Sequence, residues 1–235
     1  MALSPAQRSG TVSDAIFTQL ADEIFSGRWP ANGPAPSERD LAATLQVNRH
    51  SVREALRRLQ QAGLLEITHG GKTRVLDWRT HAGIDMLGAL AAAGVVEVST
   101  ALGDVAVMRR TIGADAARLC ALKADEAQLA AVSEAANTYP ESGDIGVMRD
   151  ADLEFWTAVV IGSGNLSYRL ALNTLVRGAD EIGRELYMGV NAEMFLDRAG
   201  HLELAAAIVA RDADTARQLA YKQLSQLVEL LGADA

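Results

Sequence analysis

Beyond Trp78, apolar residues recur at the three- and four-residue spacing of an α-helix in one segment after another, and the alternating pattern of a β-strand is lost. Ala, Leu and Val dominate these segments, and turns containing glycine, proline or aspartate separate them. The pattern predicts helices at 84–93, 98–122, 125–137, 146–162, 166–188, 193–211 and 213–232. Because each helix must bury one face against its neighbours, we expect an antiparallel bundle of six or seven helices.

The preceding eighty residues carry a different order of elements. A helix follows the capping residue Ser13, a loop with three prolines covers Trp29–Pro36, and two short helices follow the capping residues Ser37 and Asn48. Two alternating segments around a glycine-containing turn predict a β-hairpin at 65–76. The order helix, helix, turn, helix, hairpin is typical of a winged helix-turn-helix.

These patterns predict a mainly α protein with two domains. We expect a winged helix-turn-helix DNA-binding domain at 10–76, a linker at 77–83, and an all-helical effector-binding and dimerisation domain at 84–233. The interior of a helix bundle is a common place for a ligand site, so the effector is assigned to the second domain.

The distribution of charge supports this division. The whole chain has a net charge of −8, which by itself disfavours nucleic-acid binding. Residues 1–79, however, contain 10 Lys and Arg against 8 Asp and Glu, a net charge of +2, whereas the remaining 156 residues contain 12 against 22, a net charge of −10. Any DNA binding must therefore come from local basic clusters.

The second helix of a helix-turn-helix reads base edges in the major groove with its N-terminal end. That end is polar in this chain and supplies five candidate DNA contacts: Asn48, Arg49, His50, Ser51 and Arg53. Arginine can bridge guanine or hold a phosphate, and Asn and Ser suit either target. The tip of the hairpin is small and basic, and three of its residues are candidates for the minor groove: His69, Gly70 and Lys72. The alternative is that the arginines form only a solvated surface.

Three stretches of this region resemble the DNA-binding domain of the GntR family of transcription regulators: Pro36–Ala42, Val47–Leu59 and Gly63–Leu65. They occur in the family's order and at its spacing, and the resemblance covers residues 13–76. It implies that DNA is touched by arginines, by short polar residues and by the wing glycine with its neighbours. The residues concerned are Arg39, Arg49, Arg53, Asn48, His50, Ser51 and Gly70.

The helical region resembles the effector-binding domain of the FadR subgroup of that family, through its composition and the spacing of Asp152 from the Ser163–Asn165 turn. Many members of the subgroup hold a metal with one Asp and three His. In this chain Asp152 and His201 match two of these ligands, whereas Trp156 and Gln223 stand at the other two positions. An indole cannot bind a metal and an amide is a poor ligand for zinc, nickel or manganese, so we expect no metal and no other cofactor.

Within the subgroup, the chain is most similar to the branch that responds to fatty acyl-coenzyme A. That branch also has an aromatic residue at the position of Trp156, and the segments 163–173 and 221–225 are similar as well. The resemblance implies six ligand-binding residues: Arg109, Asp152, Trp156, Tyr168, Tyr221 and Ser225. Tyr221 and Ser225 share a helix face. The linear sequence shows no Lys and Arg cluster that would bind the three phosphates of coenzyme A.

We therefore expect a cytoplasmic transcription regulator without enzymatic activity, whose affinity for a palindromic operator is controlled by a small ligand, in the first instance a long-chain fatty acyl-CoA. A homodimer is expected because twofold dimers match palindromic operators. The ligand would act through the 77–83 linker. The single cysteine, Cys120, fits a reducing compartment, and no membrane partner is expected because the chain has no apolar run long enough to span a bilayer.

Two alternatives remain open. The regulator could instead sense a small organic or sugar acid, with or without a degenerate metal site at Asp152 and His201. An enzyme with a DNA-binding anchor is the other alternative, but the sequence contains no nucleophile elbow, no phosphate-binding Walker loop and no HExxH pair.

Overall fold

The computed structural model describes residues 12–68, 73–190 and 192–233, with the side chains of 179–187, 190 and 193 outside the description. The chain divides into two compact units, one ending at Val96 and one starting at Glu97. Helices make up most of both units, so the prediction of a mainly α fold is confirmed. The wing-tip candidates His69, Gly70 and Lys72 lie outside the described residues.

The N-terminal unit is a winged helix-turn-helix followed by two short helices. Its described elements are α1 (Val12–Phe25), α2 (Glu38–Leu45), α3 (Arg49–Gln61), β1 (Leu65–Ile67), β2 (Thr73–Val75), α4 (Trp78–His81), a 3-10 turn (Ile84–Met86) and α5 (Leu87–Ala92). The core joins one face of α1 to one face of α3 through Ile16, Leu20, Ile24, Val52, Leu56 and Leu59. Each of these fully buried side chains stabilises the fold by about 1.5–3 kcal/mol.

Two side-chain caps fix the helix-turn-helix. The hydroxyl of Ser37 accepts a hydrogen bond from the backbone N–H of Asp40 at 3.2 Å, and the Asn48 carbonyl oxygen accepts one from the N–H of Ser51 at 2.8 Å. Between the two helices, Gln46 takes a left-handed conformation with φ of 54° and reverses the chain. Both caps fall at the predicted residues, because an N-cap depends only on local sequence.

The wing is supported by the proline-rich loop that precedes α2. β1 and β2 pair antiparallel, with Leu65 opposite Val75. The N–H of Val75 donates to the Gly33 carbonyl at 2.9 Å, and the N–H of Asn32 donates to the Val75 carbonyl at 2.8 Å. The loop therefore lies along the open edge of β2. Prolines are tolerated at such an edge because few of its N–H groups are needed for pairing.

The segment predicted to link the domains and to open the bundle instead packs on the N-terminal unit. Trp78 of α4 stacks edge-to-face on Phe25 with ring centroids 5.9 Å apart, and Met86 and Leu90 are buried in the same core as α1 and α3. The first compact unit consequently extends to Val96, beyond the predicted boundary at residues 83–84. Helical periodicity shows that a segment has an apolar face, but it does not show which core that face will cover.

The second unit contains seven helices among its described residues. They are α6 (Val98–Lys123), α7 (Glu126–Asn137), α8 (Ile145–Gly162), α9 (Leu166–Val190), α10 (Ala192–Leu196), α11 (Arg198–Val209) and α12 (Ala213–Leu230). The single helix predicted at 193–211 is divided, because the Asp197 carboxylate accepts the N–H of Gly200 at 2.9 Å and starts α11. None of the described helices is both long and apolar enough to cross a membrane.

Two glycines in the N-terminal unit allow a matched test of its packing. Gly27 and Gly63 have φ of 75° and 73°, but a Cβ at position 27 would meet open space, whereas one at position 63 would overlap the His81 carbonyl. Gly27→Ala should cost about 1–2 kcal/mol for the left-handed backbone alone. Gly63→Ala should cost at least about 1–3 kcal/mol more because α4 must also move. Urea unfolding of both variants measures this, and equal losses would contradict the packing of α4 on the turn after α3.

Candidate nucleic-acid interface and effector cavity

The N-terminal end of α3 presents the predicted DNA contacts to solvent. Arg49 and His50 are exposed and Ser51 is half-buried. Asn48 is exposed, but its side-chain oxygen caps the helix, so its amide N–H groups are what remain for a base or a phosphate. The side chain of Arg39, at the start of α2, is 77% exposed, and its Nε lies 3.5 Å from Asp40 Oδ1.

Arg53 is placed differently from the other arginine candidates. Its Nε lies 3.1 Å and its Nη2 lies 2.9 Å from the Glu38 carboxylate of α2. This pairing lowers the pKa of Glu38 through the hydrogen bond from Arg53, against a smaller opposing effect of burial. Arg53 therefore joins the two helices of the motif, and a DNA contact would have to share it with Glu38.

Arg58 belongs to the fold of the N-terminal unit. Its Nη1 lies 2.6 Å from Asp14 Oδ1, and its guanidinium stacks on the Phe17 ring at 4.5 Å, so it joins α3 to α1. Its place on α3, two turns beyond Arg49, would also suit phosphate contact or exposure to solvent. Instead the side chain contributes packing between the helices as well as charge.

In the second unit, four polar residues from four helices form a buried chain of contacts. Arg109 on α6 places Nη2 2.7 Å from Oδ2 of Asp152 on α8. The other carboxylate oxygen lies 3.3 Å from Nε2 of His201 on α11, and Gln223 Nε2 on α12 lies 3.1 Å from His201 Nδ1. His201 Nδ1 is also 2.7 Å from the Asp197 carbonyl. We call these residues, Arg109, Asp152, His201 and Gln223, the polar network.

The charge of Asp152 is stabilised inside the core. Burial alone would raise the pKa of this carboxyl, but the charge of Arg109 and the hydrogen bonds from His201 and Arg109 outweigh burial and hold the pKa below its ordinary value. His201 is fully buried between the rings of Tyr139 and Phe155, at centroid distances of 4.3 and 4.9 Å. The cap at the start of α11 is supplied by Asp197, not by His201.

The residues present do not fit a metal ion. Trp156 and Gln223 offer an indole and an amide at two of the four positions, and the Arg109 guanidinium already lies within hydrogen-bond distance of the carboxylate. A metal brought to Asp152 would meet this fixed positive charge. Across the described residues, no group of three or more His, Cys, Asp or Glu is arranged to hold a metal ion.

Three adjoining spaces lie beside the polar network, between α6, α8 and α9. An inner cavity of about 30 Å³ is lined by Arg109, Arg149, Asp152, Trp156 and several apolar residues. It shares Leu172 and Val176 with an open cleft of about 410 Å³. The inner cavity also shares Arg109, Trp156, Leu172 and Leu175 with a pocket of about 10 Å³, whose further lining residues are apolar.

Positive charge is concentrated at the open side of this row. Arg169 and Arg177 line the cleft, and Arg109 and Arg149 line the inner cavity. At the closed end Arg109 is accompanied by apolar residues, among them Ile112, Val160 and Leu224. The linear sequence showed no such cluster, because its members lie on three helices. One signal was available: Arg169, Asn173 and Arg177 recur every four residues and share one face of α9.

The six predicted ligand residues do not all meet. Arg109, Asp152 and Trp156 line the inner cavity, but Tyr168, Tyr221 and Ser225 do not. The Tyr168 hydroxyl donates to Asp115 at 2.9 Å. The Tyr221 ring is half exposed, and the Arg110 guanidinium lies over it, 4.8 Å from the ring centroid. Ser225 is buried, and its hydroxyl has no hydrogen-bond partner among the described residues.

Two family descriptions match the chain. Residues 12–75 match "Bacterial regulatory proteins, gntR family", and residues 104–226 match "FCD domain". The first match coincides with the winged helix-turn-helix, and the second contains the polar network and the cavities.

Named relatives agree with these matches. The "HTH-type transcriptional regulator Mce2R" of Mycobacterium tuberculosis is 34% identical over 174 residues, which cover 74% of this chain and 72% of the relative. A "Fatty acid metabolism regulator protein" of Edwardsiella ictaluri is 30% identical over 192 residues, which cover 80% of this chain and 78% of the relative.

Solved structures show the same fold at low sequence identity. The "Streptococcus agalactiae GntR" structure has a TM-score of 0.50 and 19% identity, covering 93% of this chain and 100% of that one. The "E. coli McbR/YncC" structure also has a TM-score of 0.50 and 19% identity, covering 96% and 99%. From the family matches and the relatives, this chain belongs to the GntR family of DNA-binding transcription regulators, is not an enzyme, and carries an FCD effector-binding domain.

Proposed function

We propose that this regulator binds a palindromic operator as a homodimer, and that a long-chain fatty acyl-CoA in the FCD domain controls its affinity for that operator. The observation that carries the proposal is the row of spaces between α6, α8 and α9, which runs from an arginine-lined cleft to an apolar closed end. An acyl-CoA has the matching order of groups, with anionic phosphates at one end and a hydrocarbon chain at the other.

The two ends of the row supply different kinds of binding energy. Arg169 and Arg177 can form charge-assisted hydrogen bonds with phosphate oxygens at the open cleft. Each methylene that enters the closed end, beside Ile112 and Val160, gains about 0.8 kcal/mol from burial. Free coenzyme A or a free fatty acid would satisfy only one end, so the intact thioester is the preferred ligand.

The inner cavity is too small for an acyl chain unless helices separate. Its volume of about 30 Å³ has room for only a few water molecules. Leu172, Leu175 and Val176 of α9 form one wall, so binding is expected to displace α9 from α6 and α8. Such a displacement supplies two states of the domain with different ligand affinity, which is what control of DNA binding requires.

The names of relatives point in the same direction. Relatives from Edwardsiella ictaluri and Proteus mirabilis, at 30% and 26% identity, are named "Fatty acid metabolism regulator protein". We carry the link to fatty acids from those proteins to this chain as part of the proposal.

A small organic acid is the second candidate effector. Arg109 and Arg149 line a cavity of about 30 Å³, which suits a small carboxylate better than a long chain if α9 stays in place. The two candidates differ in whether α9 must move, so they can be separated by experiment.

The effector is tested by the anisotropy of labelled DNA from upstream of the protein's own gene. A long-chain acyl-CoA should change operator affinity by about 5–150-fold, while coenzyme A alone and the free fatty acid should change it much less. A response to a small dicarboxylic acid but not to the thioester would contradict the acyl-CoA assignment. The control is the same titration on a scrambled DNA sequence.

Variants at the cleft test where the thioester binds. Arg169→Ala and Arg177→Ala should each raise the acyl-CoA concentration for half-maximal response by about 10–150-fold, because each removes a charge-assisted hydrogen bond worth about 1.5–3 kcal/mol. Arg217→Ala is the matched control, since Arg217 is exposed on α12 and does not line the cleft. An equal response of all three variants would place the phosphates elsewhere.

Variants at α3 test the DNA interface. Arg49→Ala should weaken operator binding by about 1–3 kcal/mol and reduce discrimination against scrambled DNA, if Arg49 reads a base. Arg57→Ala, two turns further along the same helix, should weaken both DNAs to a similar extent and lower the salt dependence if it contacts phosphate. Binding isotherms at several stated salt concentrations separate these outcomes. Unchanged operator binding by Arg49→Ala would contradict the assignment of this end of α3.

A further inference from the structure

The polar network links the helices that a metal ion would otherwise link. In subgroup members with a metal, one Asp and three His supply the ligands, and the matching positions here lie on α8, α11 and α12. In this chain the same three helices are joined by contacts from Asp152 to His201 at 3.3 Å and from His201 to Gln223 at 3.1 Å. The network thus joins the same three helices through side-chain contacts instead of bonds to a metal ion.

A buried carboxylate still requires a positive charge. Asp152 is only 4% exposed, and an isolated ionised carboxylate in such a place is strongly unfavourable. The Arg109 guanidinium supplies the charge at 2.7 Å, and its side chain is only 12% exposed. Met194 Sδ lies 3.8 Å from Arg109 Nη1, so the head of the arginine is held on a second side as well.

We propose that Arg109 is a built-in substitute for the metal ion of this domain. Its guanidinium neutralises Asp152, completes the connection from α6 through α8 and α11 to α12, and excludes a metal by occupying the carboxylate. Because Arg109 and Asp152 both line the inner cavity, an effector there would meet this permanently charged ion pair and no metal.

An arginine and a metal ion have different consequences for regulation. A guanidinium stays protonated under all physiological conditions and is never lost to a chelator. The effector response of this regulator should therefore not depend on metal supply. The proposal concerns how the site is built and does not depend on the identity of the effector.

The decisive experiment introduces histidine at the two positions, 156 and 223, where a metal ligand is missing. Trp156→His with Gln223→His gives the chain one Asp and three His but keeps Arg109. We expect this double variant to bind little zinc after dialysis, and the triple variant that also carries Arg109→Ala to hold about one zinc per chain. The readouts are elemental analysis and the melting temperature with zinc and with EDTA, neither of which involves DNA or acyl-CoA.

Three outcomes would overturn the proposal. One is about one equivalent of metal in the wild-type protein together with a fall in melting temperature on chelation. Another is a double variant that takes up zinc as tightly as the triple variant, since Arg109 would then not occupy the site. The third is a folded triple variant that takes up no zinc.

A second set of variants keeps the proposal testable if the histidine variants fail to fold. Arg109→Met leaves Asp152 buried without its cation and should lower the melting temperature by roughly 10 °C. Arg109→Met combined with Asp152→Asn removes both charges and should recover at least half of that loss. Arg217→Met serves as the control for an exposed arginine. A combined variant no more stable than Arg109→Met would contradict the role of Arg109 as the counter-charge of Asp152.

Discussion

A carboxylate in the middle of a helix bundle must have a cation beside it, and this requirement organises the FCD domain of this protein. Asp152 is bound by Arg109 from α6 and by His201 from α11, and Gln223 of α12 closes the row. Around these polar contacts the core is apolar and closely packed, with Phe155 and Phe195 fully buried. Breaking the pair at one side would leave an uncompensated buried charge, which typically costs 3–5 kcal/mol. The network therefore specifies which helix faces meet.

The Arg109–Asp152 pair lies where the helices are joined and also where an effector would enter the inner cavity. Arg109 and Asp152 both line the inner cavity, so an effector that enters must rearrange groups on which the packing of four helices depends. Under the proposed function, a ligand that acts at this point would shift the whole domain between states, whereas one bound only at the surface cleft would have little effect on the packing of the helices. Close packing favours discrete rearrangements of this kind over gradual deformation.

Local features of this chain were predictable and tertiary ones were not. The caps at Ser37 and Asn48 were found because each depends on residues within one helical turn. The packing of Met86 and Leu90 on the N-terminal core was missed, because an apolar helix face does not show which core it will pack against. The arginine cluster was also missed, because Arg149 of the inner cavity and Arg177 of the cleft lie on different helices. Tyr221 was chosen from resemblance, but its half-exposed ring faces Arg110 instead of the inner cavity.

The uneven distribution of charge suits a regulator that binds DNA and, under the proposed function, an anionic effector at a separate place. Residues beyond 79 carry 22 acidic and 12 basic groups, so their surface repels DNA and most anionic metabolites. Against that background, positive charge collected at Arg109, Arg149, Arg169 and Arg177 makes one spot of the bundle attractive to an anion. The same contrast favours DNA binding at the proposed α3 interface, since Arg49 lies in the part of the chain with a net positive charge. Acidic groups on the bundle thus add selectivity at both sites, because they weaken binding everywhere else.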